Sequence, residues 1–168
     1  MITSNIHLGK NVRIELDASV NNATIGDNTR LAGRVKLFGS AKHVIEVGKD
    51  CYFALNCFIE GFNDKVIIGD NVSFAPNVHL ISGSGPNAST SLQKIFPIVR
   101  GPVTIGDHTW VSVNSTIMPN VTIGKFCVVA ANSFVNKSFP DYSIIGGVPA
   151  KLIRSLTPSE IEILHQND

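Results

Sequence analysis

Five histidines, His7, His43, His79, His108 and His165, are the side chains best suited to moving a proton near neutral pH. Three cysteines, Cys51, Cys57 and Cys127, are the candidates for a thiolate nucleophile or a soft metal ligand. Cys51 and Cys57 lack the short intervening loop that zinc pairs use, so no zinc site is assigned and no metal is expected. An odd number of cysteines does not make a disulfide framework and fits a reduced compartment. What these groups can do depends on which of them the fold turns outward.

The elements that position them follow from an internal repeat. An aliphatic residue, Gly, then Asp or Lys recurs at Leu8-Gly9-Lys10, Ile25-Gly26-Asp27, Val47-Gly48-Lys49, Ile68-Gly69-Asp70, Ile105-Gly106-Asp107 and Ile123-Gly124-Lys125. From Ile105 the frame fills with sixes: Val111, Ile117, Ile123, Val129 and Val135. A second column lies four residues after each of these positions and holds small or β-branched residues, among them Thr109, Ser115, Cys127 and Ser133. Short strands that point positions one and five inward, joined by Gly-Asp-Asn turns, explain both columns. Six residues then make one side and eighteen make one triangular coil. All three cysteines fall in the inward column, which reads them as small core thiols and not as ligands or nucleophiles.

Composition agrees with a strand-built solenoid. Val (17) and Ile (19) outnumber Leu and Ala (ten each), and β-branched residues suit a pleated surface, so a helix bundle is excluded. The 168 residues allow one domain with an adequate core. A net charge of +1 provides no field for gathering nucleic acid or anionic lipid, so no nucleic-acid partner is expected. The longest apolar run, 126–131, is far short of the roughly 20 residues a membrane span needs, and the first 20 residues carry no leader pattern. A cytoplasmic protein is the expectation.

The frame breaks at 38–43, at 60–65 where three extra residues fit, and at 82–101, a stretch rich in Ser, Gly, Asn and Pro. A structureless loop of that last length is uncommon unless it covers a site. The fourth break is the end, where Thr157-Pro158-Ser159-Glu160 is a capping box with Pro at the first helical position. The expected organisation is a solenoid over 1–155 with the inserted loop, and a short helix over 156–168 that caps the exposed edge of the stack.

These residues carry a family resemblance. The repeat, Gly101-Pro-Val-Thr-Ile-Gly-Asp-His-Thr-Trp110, Ile117-Met-Pro-Asn-Val-Thr-Ile-Gly124 and the ending Ser143-Ile-Ile-Gly-Gly-Val-Pro-Ala-Lys151 together resemble the left-handed β-helix acyltransferases. Among these the chain is most similar to sugar and polysaccharide acetyltransferases akin to galactoside and maltose acetyltransferase. The left-handed sense is implied by the resemblance alone, since parallel crossovers are otherwise right-handed. It also implies a homotrimer with active sites between subunits, acetyl-CoA as co-substrate, and a loop that closes over the site. The family's base is a histidine in that loop, and its place here is taken by Gly85, with no histidine between Leu80 and Asp107.

Three explanations stand side by side. His79, outward between inward Val78 and Leu80 and just before the loop, could serve as the base. The acceptor could be an amine of a nucleotide- or lipid-linked amino sugar, for which a strong base is less essential. Or the chain could be a catalytically weak or non-catalytic binding protein of the same fold. Placing histidine at Gly85 should raise O-acetylation if the site is otherwise intact. A carbonic-anhydrase-like member would need three histidines around the groove, and these histidines do not cluster so.

By the same resemblance, the coenzyme A positions are Trp110, Val113, Ala131, Asn136, Lys137, Lys151 and Arg154. The three cations are suited to phosphates, Arg as a bidentate partner, and the Val113 amide is the implied oxyanion donor. Acceptor positions map onto Asn56, Asn63 and Asp64. The resulting expectation is an acetyltransferase that acts on a hydroxyl or amine of a sugar or polysaccharide precursor through a ternary complex, without a covalent acetyl-enzyme.

Overall fold

Every sixth residue of the apolar frame is inward, and in the computed structural model, which describes residues 4–166, these residues stack into three continuous columns. The chain winds through three walls in turn. The first wall begins with Ile6–Leu8, the second with Arg13–Ile14 and the third with Ser19–Asn21. Successive coils add parallel strands, giving six on the first wall, eight on the second, the last of them antiparallel, and six on the third. The second-wall column runs Leu31, Phe53, Phe74, Val111, Val129 and Ile145 in register. The third-wall column runs Val20, Leu37, Ile59, Leu80, Ile117 and Val135. These twelve residues are at most 5% exposed.

The second inward column works by hydrogen bonding as well as by size. Thr29 Oγ1, Thr109 Oγ1 and Ser115 Oγ donate to the carbonyls of Gly48, Gly124 and Ala130 on the coil above. Cys51, Cys57 and Cys127 do the same with Sγ to the carbonyls of Gly69, Ala75 and Pro140. Burial pushes the Cys51 and Cys57 thiols up to about 11 and raises Cys127. The cysteines are therefore core thiols with a defined acceptor.

Asparagine, and not glycine, supplies the backbone of the corners. Ten asparagines adopt left-handed φ of 49–65°, a conformation their short polar side chain tolerates, whereas a single glycine, Gly147, has positive φ. This corrects the expectation that both residue types shape the turns. The repeat glycines are needed because coils press together there: a Cβ at Gly26 would lie 2.5 Å from the Gly48 carbonyl carbon. Where aspartate follows such a glycine, it takes a backbone N–H from the coil below, as Asp70 Oδ1 does from Lys49 N at 2.9 Å and Asp107 Oδ1 from Asp70 N at 2.8 Å.

Coil spacing changes along the stack, from 17 residues (Asn11 to Asn28) to 22, 21 and 37, then back to 18 (Asn114 to Asn132). The three enlargements leave the solenoid at one corner, between the third and first walls. The largest, 82–101, is not structureless as its composition suggested. Gly83–Ser84 pairs antiparallel with Val99–Arg100, and a helical turn, Thr90–Gln93, is capped by Ser89. Local hydrogen bonds of Ser, Asn and Gln, including Gln93 Nε2 to the Pro86 carbonyl, replace the missing apolar pattern.

At the C-terminal end, Ser143–Gly147 turns back through Val148-Pro149, a cis peptide, into Ala150–Ser155, which runs antiparallel along the second wall. This strand covers the last edge of the second wall by pairing with its N–H and C=O groups. The helix Pro158–His165 has the expected capping box but no buried residue. It meets the stack through His165, beside Phe126 and bonded to Tyr142 Oη. Residues 1–3 and 167–168 of the expected 1–155 and 156–168 segments lie outside the described residues.

Candidate active site

His79 opens the third-wall strand His79–Ile81. Val78 and Leu80 on either side are fully buried, so the alternation of a strand forces His79 outward, and it is exposed. In register it lies between Phe58 on the coil before and Thr116 on the coil after, and Phe58 in turn lies next to Lys36. The Phe58 ring meets His79 edge-on at 6.1 Å and Phe38 edge-on at 6.3 Å. Asp17, Arg34, Lys36, Asn56, Phe58 and His79 line an open cleft of about 470 Å³.

Behind that cleft runs a side-chain ladder along the corner between the second and third walls. Asn56 Nδ2 donates to Asn77 Oδ1, Asn77 to Asn114, and Asn114 to Asn132, at 3.0–3.2 Å. Asn56 Oδ1 accepts from Arg34 Nε at 2.7 Å. Both ends of the Asn56 amide are thus engaged in the fold, and its contribution to the cleft is to orient Arg34.

Asn63 and Asp64 are not with Asn56 but at the opposite edge of the third wall, under the root of the 82–101 loop. Glu60 organises this root. Its carboxylate accepts from the backbone N–H of Phe62 (2.6 Å) and Ser82 (3.0 Å), from Asn63 Nδ2 (3.2 Å) and from Ser82 Oγ. Ser82 Oγ in turn accepts from Asn63 N, and Arg100 Nε donates to Asn63 Oδ1. Glu60 was missed in the sequence, although its place at the start of the 60–65 register slip and one coil below the loop was the available signal.

Gly85 sits in the loop beside Ile98, and a Cβ there would come to 2.8 Å from Ile98 Cα and 2.9 Å from its Cγ1. A side chain at 85 therefore cannot enter without a shift of the Ile98 backbone. Gly85→His is expected to displace the Gly83–Ser84/Val99–Arg100 hairpin, lowering the melting temperature and leaving O-acetylation no higher than in the parent. Thermal unfolding by circular dichroism and an acetyl-transfer assay check this.

The seven coenzyme A candidates are spread over the molecule. Trp110 stands exposed on the second wall between Ser73 and Val128. Val113 and Ala131 lie at the corner between the second and third walls, where Asn132 N bonds the Val113 carbonyl. Asn136 and Lys137 lie at the other edge of the third wall, with Lys137 Nζ 5.4 Å from the Phe139 ring centroid. Lys151 and Arg154 are exposed on the final antiparallel strand. The Arg154 guanidinium already holds Glu160 through two bonds of 2.7 and 2.9 Å, and that pairing with the Thr157 amide brings the Glu160 carboxyl down to about 2. One protomer does not gather these seven residues in one place. His108, at a left-handed φ of 57°, stacks on Phe126 with ring centroids 4.6 Å apart.

Comparison with known proteins places this architecture. The family pattern for bacterial transferase hexapeptide repeats (six repeats) matches residues 102–137. A probable macrolide acetyltransferase of Lysinibacillus sphaericus is 33% identical over 123 residues, which cover 62% of this chain and 68% of the relative. The chain belongs to the hexapeptide-repeat acyltransferases. Galactoside O-acetyltransferase of Escherichia coli is 36% identical over 135 residues, 80% of this chain and 64% of that enzyme. The chain spans between about half and two thirds of these first relatives. In fold, this hexapeptide protein matches AntD, an N-acyltransferase from Bacillus cereus solved with dTDP and 3-hydroxybutyryl-CoA. The TM-score is 0.78 at 23% identity, covering 95% of this chain and 87% of that one. The fold is thus the left-handed β-helix of these acyltransferases. No helix among the described residues is long and apolar enough to cross a membrane.

Proposed function

We propose that this hexapeptide protein transfers an acetyl group from acetyl-CoA to a hydroxyl or amine of a sugar or polysaccharide precursor, with His79 as the base. The observation that carries the proposal is the position of His79. It is outward, on the strand that runs directly into the loop, and it opens onto a cleft with an aromatic floor and two cations. The names of the relatives support acetyl transfer to a sugar, and AntD's acyl-CoA supports the donor class.

The chemistry is a direct transfer. The acceptor hydroxyl loses its proton to the free ring nitrogen of His79 as its oxygen attacks the thioester carbonyl; collapse of the tetrahedral intermediate forms the ester and expels the CoA thiolate, which takes up a proton. An acetyl-cysteine intermediate has no candidate, because the three thiols are buried and Cys51 and Cys57 are raised to about 11. A homotrimer in the cytoplasm completes the reading. The dispersal of Lys137 and Lys151 over different faces of one protomer supports it, since faces that are distant within a subunit can meet across a trimer interface.

The test is CoA-thiol release from acetyl-CoA against a panel of neutral sugars, amino sugars and their phosphates, with sedimentation analysis of the same sample. Acceptor-dependent CoA release from a trimer is the expected result. Absence of release with every acceptor, together with no calorimetric signal for acetyl-CoA, would remove the enzyme reading.

A further inference from the structure

Arg34 and Lys36 face the same cleft as His79. Among the described residues the two ion pairs are Arg30–Glu15 and Arg154–Glu160, so neither Arg34 nor Lys36 belongs to one. Asp17, the one carboxylate of the cleft, accepts the Arg34 backbone N–H at 3.1 Å, and the cleft keeps a surplus of positive charge in a chain whose whole net charge is +1.

The backbone and the corner ladder hold Arg34 in a defined place. Arg34 has φ 59°, and it occupies the corner column continued by Asn56, Asn77, Asn114 and Asn132. Asp50, His108, Phe126 and Tyr142 hold the same left-handed φ at other corners, so what distinguishes Arg34 is the cleft its side chain lines. The ladder then fixes the guanidinium through Nε to Asn56 Oδ1 and leaves the terminal nitrogens for another partner.

The cleft also has an order. Lys36, Phe58 and His79 are consecutive in one row across the third wall, and strands about 4.8 Å apart put Lys36 about 10 Å from His79, with the Phe58 ring between. An anionic group at Arg34 and Lys36, a ring lying on Phe58, and a nucleophile at His79 describe one extended ligand.

We infer that the acceptor is a phosphate-bearing sugar, held by its phosphate on Arg34 and Lys36 with its sugar ring over Phe58. This rests on the acetyl-transfer reading and names its substrate class.

The experiment compares kcat/KM for an amino sugar and for its 1-phosphate, with a nucleotide-linked form as a third arm, in the parent and in Arg34→Asn, Lys36→Gln and the double variant. Asparagine suits the corner column, so Arg34→Asn should fold, and circular dichroism checks it. The phosphate form is expected to be preferred by at least about tenfold, and the double variant to raise its KM by at least about tenfold until the preference approaches unity. A parallel tenfold gain from the nucleotide over the 1-phosphate would place the base in the cleft as well; equality would confine recognition to the phosphate. Equal use of neutral and phosphorylated sugar by the parent, or a preference untouched in the double variant, overturns the inference. If no acceptor is acetylated, the acetyl-transfer reading has failed separately. Calorimetric titration with the sugar 1-phosphate then decides: binding abolished by the double variant upholds the cleft assignment, and absent or unaltered binding rejects it.

Discussion

His79→Asn is expected to lower kcat for a hydroxyl acceptor by about 10²–10⁴-fold, the contribution of a positioned general base. The substitution keeps an outward polar side chain between Val78 and Leu80, so the inward column and the loop root should be unaffected. The KM for acetyl-CoA should stay within about twofold, because the group removed acts on the acceptor proton and not on donor binding. On an amine acceptor the loss should be smaller, since a neutral amine attacks before its proton must leave. Steady-state kinetics on a matched hydroxyl and amine pair, with the pH–rate profile, reads all three quantities. Hydroxyl-acceptor turnover within about threefold of the parent would show that proton removal lies elsewhere.

The inward half of this protein was legible in its sequence because burial is chemically restrictive. Only apolar or small residues survive at positions such as Ile105, Val111 and Ile117, so the period shows through and wall identity follows by counting sixes. The enlargements at 38–43, 60–65 and 82–101 were visible as failures of that count. That all three leave one corner was not drawn from the sequence, although it follows from the frame once each enlargement is placed after a third-wall strand. The outward half was less legible, since an exposed position accepts many residue types. Glu60 looks like any surface carboxylate until the coil above brings Ser82 onto it. Arg34 looks like surface charge until its backbone is seen in a column of asparagines. Asn56, Asn63 and Asp64 are near in sequence but lie at opposite edges of the third wall, because four residues of strand, Phe58–Gly61, intervene. The closing strand Ala150–Ser155 was hidden because its exposed Lys151, Leu152, Ile153 and Arg154 show no alternation.

Phe74→Ala should cost about 3–5 kcal/mol of stability, the range for truncating a fully buried aromatic side chain. Phe74 is 0% exposed and its ring stacks on Phe53 with centroids 4.8 Å apart and planes 22° from parallel. It is also in register with Val111 on the next coil, 37 residues further along the chain. In a solenoid each coil touches only its neighbours, so a cavity there weakens both junctions of the coil that carries His79 and the loop root. Alanine at Ile14, on the open first coil and 36% exposed, removes about half as much hydrocarbon, from a place with one neighbouring coil. Its cost should stay near or below about 1 kcal/mol. Urea unfolding at fixed protomer concentration measures both, since oligomerisation makes apparent stability concentration-dependent. A shift in midpoint at constant slope is expected for each variant. If Phe74→Ala cost no more than Ile14→Ala, the aromatic column would not be what joins the lower coils to the upper ones, and the placement of His79 would have to rest on the corner ladders and backbone pairing alone.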